Sequence, residues 1–424
     1  MRKTEYKNIG ETLYASTLPN GLRVRVLPKP GFNSFYAVFA ANYGGAHRAF
    51  TLDGERVETP AGVAHFLEHK MFDLPGGDNA LSILTANGAD PNAFTSGGMT
   101  AYYFECTENF EQNLRMLLHF VSTPYFTPET VQKEQGIIAQ EILMGEDNPG
   151  VVLYYDLLHM LYKSHPIRDR VAGTAESIAE ITDKTLYDCH RAFYSGANMV
   201  LCVAGDVEPE RISSIAFEEL PSAHTTAPAV ELPDDGELPA ERYKRTEMPV
   251  SAPQFFIGAK LRPDTDGAAA LRARLVSMLA MRLLCGCSSP FYARLYAEGL
   301  LNRDFDYEVD FTANTATVII GGESAEPERV RDELIREVGR IGREGFDADA
   351  FERARRASLG ARLRGLEDFD NVCLSIAEGV FGGYDALSSA AVLETVTKAE
   401  CERFVCEKLS AERLALAVIA PGKE

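Results

Sequence analysis

Short apolar runs alternate with turn signals over residues 12–45. In "LPNGLRVRVLP", Asn20-Gly21 sits between two strand-like runs, the pattern of a tight hairpin. "FYAVFAANYGG" reads as a further strand closed by Gly44-Gly45. From Ala61 to about Ser195 the apolar spacing is mostly helical, interrupted by the alternating, aromatic-rich "MTAYYFECT". "NMVLCVAGDV" is a continuous apolar strand ending in a turn.

Residues 221–244 are rich in Pro, Ala and acid, and read as a linker. Beyond them the order recurs. "PQFFIGAKL" is a strand, 267–285 a helix, "TATVIIGGES" a strand, 326–344 and 349–366 helices, and "LALAVIAPG" a closing strand that resembles "MVLCVAGDV" in position and character. The expectation is an α+β protein of two similar α/β-sandwich halves, each a mainly antiparallel sheet packed by helices. The first domain would span residues 1–220 and the second 245–424. A length of 424 residues suits two domains at roughly 100–200 residues each.

Composition narrows the classes. Apolar residues make up 46% and charged residues 25%, as in ordinary globular proteins. No apolar run reaches the ~20 residues that span a bilayer, and the start "MRKTEYKNIGETLY" has no signal-peptide core, so no membrane partner and a cytoplasmic location are expected. The eight cysteines include no CxxC pair; "CGC" at Cys285–Cys287 is too close for a zinc knuckle, and free thiols in a reducing compartment are expected. A net charge of −20 argues against nucleic acid, whose phosphates need clustered Lys and Arg.

Candidate chemistry concentrates in "AGVAHFLEHKMF", Ala61–Phe72. Thr59 and Pro60 read as the helix start, and Pro75, Gly76 and Gly77 as its stop. At ~100° per residue, Val63, Phe66, Leu67, Lys70 and Met71 fall on one side, and His65, Glu68, His69 and Phe72 on the other. Histidines at i and i+4 can reach one Zn²⁺ together. Glu68 would lie beside the metal, placed to take a proton from water and pass it to a leaving amine.

A catalytic zinc needs a third protein ligand. Downstream, "TPETVQKEQGIIAQEILMGEDNPG" reads as a helix from Thr127-Pro128 to Gly145. Glu134 and Glu141 are two turns apart and share a face. Periodicity alone does not choose between them, nor exclude Glu129 or Glu146.

The HxxEH string followed by E-x6-E resembles the insulinase/pitrilysin family of inverted-motif zinc peptidases. The resemblance implies His65, His69 and Glu141 as ligands of one Zn²⁺ per chain, Glu68 as general base and Glu134 as a supporting carboxylate. "GADPNAFTSGGMTAYYF" looks like the family's edge strand, implying that Asn92, Ala93 and Phe94 face a peptide substrate bound by strand addition. "HPIRDRVAGTAESIAEIT" and "FYSGANMVLCVAGDV" extend the likeness over essentially the whole chain. "HFLEHKMF", "QGIIAQEI" and "HPIRDRVAGT" look most like single-unit bacterial members, including those labelled elongation factor P 5-aminopentanol modification-associated and related peptide-maturation peptidases.

One part of the family pattern is missing. Many members carry an arginine and a tyrosine seven apart in the second half. In "SSPFYARLYAEGLLNRDFDY", Tyr296 and Asn302 fall there instead, with Arg294, Tyr292 and Tyr307 nearby. The resemblance therefore implies a zinc endopeptidase of clam-shell type working as a homodimer, or as a heterodimer with a motif-less paralogue that supplies the missing donors. The opposing reading is a non-catalytic assembly or regulatory subunit.

Overall fold

A computed structural model describes every residue except 221–222, 224, 264–266 and 423–424. The fold is mixed α/β, with two antiparallel-rich sheets in two compact units.

The first unit contains strands β1 (Arg2–Tyr6), β2 (Glu11–Thr17), β3 (Arg23–Pro28), β4 (Phe35–Ala41), β5 (Ala49–Leu52), β6 (Glu55–Glu58), β7 (Ala89–Thr95), β8 (Thr100–Cys106), β9 (Met199–Gly205) and β10 (Val230–Glu231). Seven of them form one sheet in the order β1-β2-β3-β9-β4-β8-β7. Every neighbouring pair is antiparallel except β3 and β9. β10, β5 and β6 make a small separate sheet. Two helices matter for the site: α1 (Val63–Met71), and α4 (Pro128–Glu146), which follows α2 (Ala80–Ala86) and α3 (Phe110–Ser122).

Strand alternation gives the large sheet two buried faces. Val24, Val26 and Phe39 join a core with Phe66, Leu67 and Met71 of α1. Leu27, Val38, Ala40 and Cys202 face the other way, towards Val372, Cys373 and Ile376 of the helix Phe369–Gly382. Each fully buried Leu, Val or Phe side chain contributes roughly 1.5–3 kcal/mol of transfer free energy.

The second unit is built on β11 (Tyr243–Met248), β12 (Gln254–Leu261), β13 (Asp306–Thr312), β14 (Thr315–Glu323) and β15 (Ala415–Pro421), in the order β11-β15-β12-β14-β13. Here too one pair, β11 and β15, is parallel. The helix Pro149–Leu161 packs on it so closely that a Cβ at Gly258 would lie 2.7 Å from Leu157.

The units are not contiguous stretches of sequence. Unit one comprises 1–142, 170–232 and 363–388, and unit two 143–169, 233–362 and 389–424. This division by packing differs from a linear one at 1–220 and 245–424 in where two helices fall: Pro149–Leu161 lies in unit two and Phe369–Gly382 in unit one. Each half of the chain sends one helix to the other half's unit, and local periodicity carries no information about a packing partner so distant in sequence. The stretch 221–244 makes defined contacts in its described part. Val230–Glu231 pairs with β5, and the Asp235 carboxylate accepts from Ser164 N–H at 2.8 Å and His165 N–H at 2.9 Å.

Candidate active site

α1 starts later than its sequence signals suggest. Thr59 does not cap it, because its hydroxyl donates to the Arg48 carbonyl at 3.2 Å beside the small sheet. The helix instead begins after Gly62, whose φ of 98° is readily adopted only without a Cβ. A Cβ there would meet the Ala172 carbonyl oxygen at 2.7 Å. The helix closes at Met71, before Pro75. Phe72 is turned inward, stacked on Phe120 at 5.3 Å, rather than lying on the polar face. Lys70 is buried, and its charge is met by Asp73.

This short helix holds His65, Glu68 and His69 on one side. α4 runs from Pro128 to Glu146 and brings two carboxylates to them. Glu141 Oε1 lies 3.5 Å from His65 Nε2, and its Oε2 3.7 Å from His69 Nε2. The three donor atoms lie within 4.8 Å of one another. Such a set suits a cation with ligand bonds of about 2.0–2.2 Å. Glu134 Oε1 sits 3.0 Å from His69 Nδ1. That contact occupies Nδ1 and leaves Nε2 turned to the shared point. His65 Nδ1 is buried without a hydrogen-bond partner among the described residues. Glu129 and Glu146 are not in the group.

The electrostatics follow from crowding. Burial alone would lower the pKa of His69, but the Glu134 hydrogen bond and the charges of Glu68, Glu134 and Glu141 outweigh it and raise the value. Burial would raise Glu134, yet its bond to His69 and nearby positive charge hold it below the usual carboxylate value. Glu141 is lowered by His65, against the opposing effect of burial. Two imidazoles beside the carboxylates of Glu134 and Glu141, with the Glu68 charge nearby, form a site that favours positive charge.

Glu68 is buried, at 8% exposure. Thr95 Oγ1 donates to its Oε2 at 2.6 Å. Tyr102 and Tyr194, joined through their hydroxyls at 2.8 Å, are both raised above the usual tyrosine value, chiefly by burial and in smaller part by the Glu68 charge.

Thr95 ends β7, the edge strand of the large sheet, which pairs with β8 alone among the described strands. Asn92, Ala93 and Phe94 lie on this edge as well. Ala93 packs towards the α1 core and Asn92 is exposed. Phe94 packs on the opposite face, 6.4 Å from Tyr103, so its side chain does not share the His65 side of the sheet. The two-residue period that turns Phe94 away is what turns Thr95 in. Thr95 was absent from the residues singled out by sequence, although its parity with Ala93 points to it.

In the second unit, Tyr292 donates to the Asn302 carbonyl at 3.3 Å and stacks on Tyr296, and Arg294 pairs with Glu333 at 2.7 Å. These side chains are engaged in local packing of their own unit.

Two family models match the chain: insulinase (peptidase family M16) over residues 53–175, and the peptidase M16 inactive domain over 180–358. An uncharacterized zinc protease of Bacillus subtilis is 37% identical over 99% of both chains. The crystal structure of an M16-like peptidase from Alicyclobacillus acidocaldarius superposes with a TM-score of 0.93 at 31% identity, covering 99% of this chain and 100% of that one. Pitrilysin, at 16% identity and a TM-score of 0.76, shares the fold over 46% of its own length. The chain belongs to the insulinase family, peptidase family M16.

Proposed function

We propose that the chain is a zinc-dependent endopeptidase that cleaves peptides or unfolded segments. The observation that carries this reading is the convergence of His65, His69 and Glu141 within 4.8 Å, one helical turn from the buried carboxylate of Glu68. His65, His69 and Glu141 would hold one Zn²⁺, which when bound acidifies water and polarises a carbonyl oxygen. Its relatives' names, zinc protease, support the choice of metal.

Glu68 would act as general base. With Thr95 donating to Oε2, the other oxygen is left to accept the proton of the attacking water and return it to the departing amine. Glu134 holds the His69 ring in place through Nδ1. The backbone of β7, with Asn92 and Ala93, would pair with the substrate as an added strand. Main-chain pairing asks little of sequence, which fits a broad peptidase or one devoted to a single modified protein equally well.

We further propose a dimeric working form, either a homodimer or a heterodimer with a motif-less paralogue. The open edge of β7 and the local engagement of Arg294 and Tyr292 support it. We place the protein in the cytoplasm, where eight free cysteines are at home. Among the described residues no helix is long and apolar enough to cross a membrane.

The test is zinc content together with cleavage of a random peptide pool, measured across protein concentration by light scattering and activity. About one zinc per chain and zinc-dependent cleavage are expected. A zinc-loaded chain that cleaves nothing, alone or with a paralogue, would instead mark it as a non-catalytic subunit. Full activity as a strict monomer would remove the dimer.

A further inference from the structure

The large sheet has a second feature, on the face turned away from α1. On that face β3 presents Arg23, Arg25 and Leu27, and Lys29 follows just past its end. Three of the four are cationic, in a chain of net charge −20. Lys29 shows how this fold handles a buried cation that serves structure alone. Its Nζ meets Glu11 at 2.6 Å and the Leu366 carbonyl at 2.7 Å.

Arg23 and Arg25 are treated differently. Both are half-buried, and among the described residues neither has a carboxylate within ion-pair distance. Arg23 reaches only the carbonyls of Met199 and Val380, at 3.4 and 3.3 Å, and lies over the Phe381 ring. Arg25 reaches the carbonyls of Ser16 and Val24, at 3.3 and 3.0 Å. Burial lowers the pKa of both. Arg25 adds to the lowering at Arg23, and Arg2 at Arg25. A guanidinium has five donors, so each keeps donors unspent.

The two side chains open into a groove of about 610 Å³ between β1–β3 and the end of the helix Phe369–Gly382. Arg2 stands at its rim, and Ile376, Val380 and Tyr384 supply an apolar wall. The acid in the lining, Asp385, is already held by Tyr6 Oη at 2.9 Å and Leu387 N–H at 3.2 Å. A groove of this size suits a small molecule. Adjacent guanidinium forks without counter-ions match a planar or tetrahedral oxyanion.

We propose that this groove is a binding site for a small organic anion, a phosphate ester or a carboxylate with an apolar portion, held by Arg23 and Arg25. The site is independent of the metal group, which lies across the sheet.

Titration calorimetry of the zinc-loaded full chain, at fixed ionic strength, tests it with two probes. AMP stands for the phosphate ester and hippurate for the carboxylate. At least one should saturate with a Kd below about 1 mM. Arg23→Gln and Arg25→Gln should each weaken that binding at least ~10-fold, the scale of one lost bidentate contact. Arg25→Lys should not restore it, because a point charge lacks the fork. Arg2→Gln, at an exposed position, serves if the other variants unfold, and should weaken binding by a smaller factor. His69→Ala should leave the affinity unchanged. Failure of both probes to saturate overturns the site, as does equal binding by wild type and the arginine variants, or loss of binding in His69→Ala. The probe that binds more tightly identifies the oxyanion.

Discussion

The two sheets are drawn on one plan. β3-β9-β4-β8-β7 in the first unit corresponds strand for strand to β11-β15-β12-β14-β13 in the second. The single parallel pair falls in the same place, β3 with β9 and β11 with β15. The slot after the third strand holds α1 in one unit and the helix Gly267–Cys285 in the other. That second helix, "GAAALRARLVSMLAMRLLC", buries Leu271, Leu275 and Leu279 and contains neither histidine nor glutamate. Among the described residues, the one group fit for a metal is His65, His69 and Glu141. The architecture therefore does not need polar groups in this slot. They are an addition to a scaffold that stands without them, which is how function is usually carried by a fold.

If that contrast is right, changes to the donor set should remove function and leave the scaffold. The largest effect is expected from His65→Ala, His69→Ala and Glu141→Ala. Each should lose zinc and all cleavage, with the melting temperature of the metal-free protein little changed, as metal analysis and calorimetry would record. Glu141→Ala with full zinc, alongside loss in Glu134→Ala or Glu146→Ala, would reassign the third ligand. Glu68→Gln comes next. It should keep zinc and lose at least ~100-fold in rate, because an amide fills the same volume but cannot take up the water proton. Wild-type turnover in that variant would remove Glu68 from the chemistry.

Glu134→Gln should weaken zinc by ~10–100-fold, the usual scale for a group that orients a ligand, read by competition with a chelator. The smallest effect belongs to the second unit. Glu237 there is held down to about 2 by Arg413 and Lys408. A carboxylate lowered in the folded state stabilises it above its unfolded value, 4.5, and loses that contribution as pH falls towards 2. Glu237→Gln should thus cost about 1 kcal/mol or less at neutral pH and nothing at pH 2, since the pair is partly exposed. Urea titrations at several pH values would show it.

Much of this could be read from residue order. The Asn20-Gly21 hairpin, the strands 35–41, 100–106 and 199–205, and the helices 267–285, 327–344 and 348–365 all have strong periods or turn chemistry. The His65–His69 spacing was legible for the same local reason. β1 was not, since "RKTEY" is a charged edge strand without an apolar face. The third member of the candidate donor group was not legible from spacing, because four glutamates of one helix offer themselves equally. Only the tertiary approach of α4 to α1 selects Glu141, and only the resemblance to a family anticipated it. Thr95 shows a middle case, in which parity along a strand held the information and the neighbouring motif drew attention away.

The exchange of helices between the units has a consequence for how such a chain can change. Val372, Cys373 and Ile376 cover one face of the first sheet, and Leu157 closes on the second at Gly258. A chain cut within 221–244 would leave Val38, Ala40 and Cys202 bare in one fragment and the Gly258 face bare in the other. Each fragment is therefore expected to aggregate when expressed alone, because a large apolar face would be open to water. A chain packed in this way is expected to divide without loss only as a whole, not at the midpoint of its sequence.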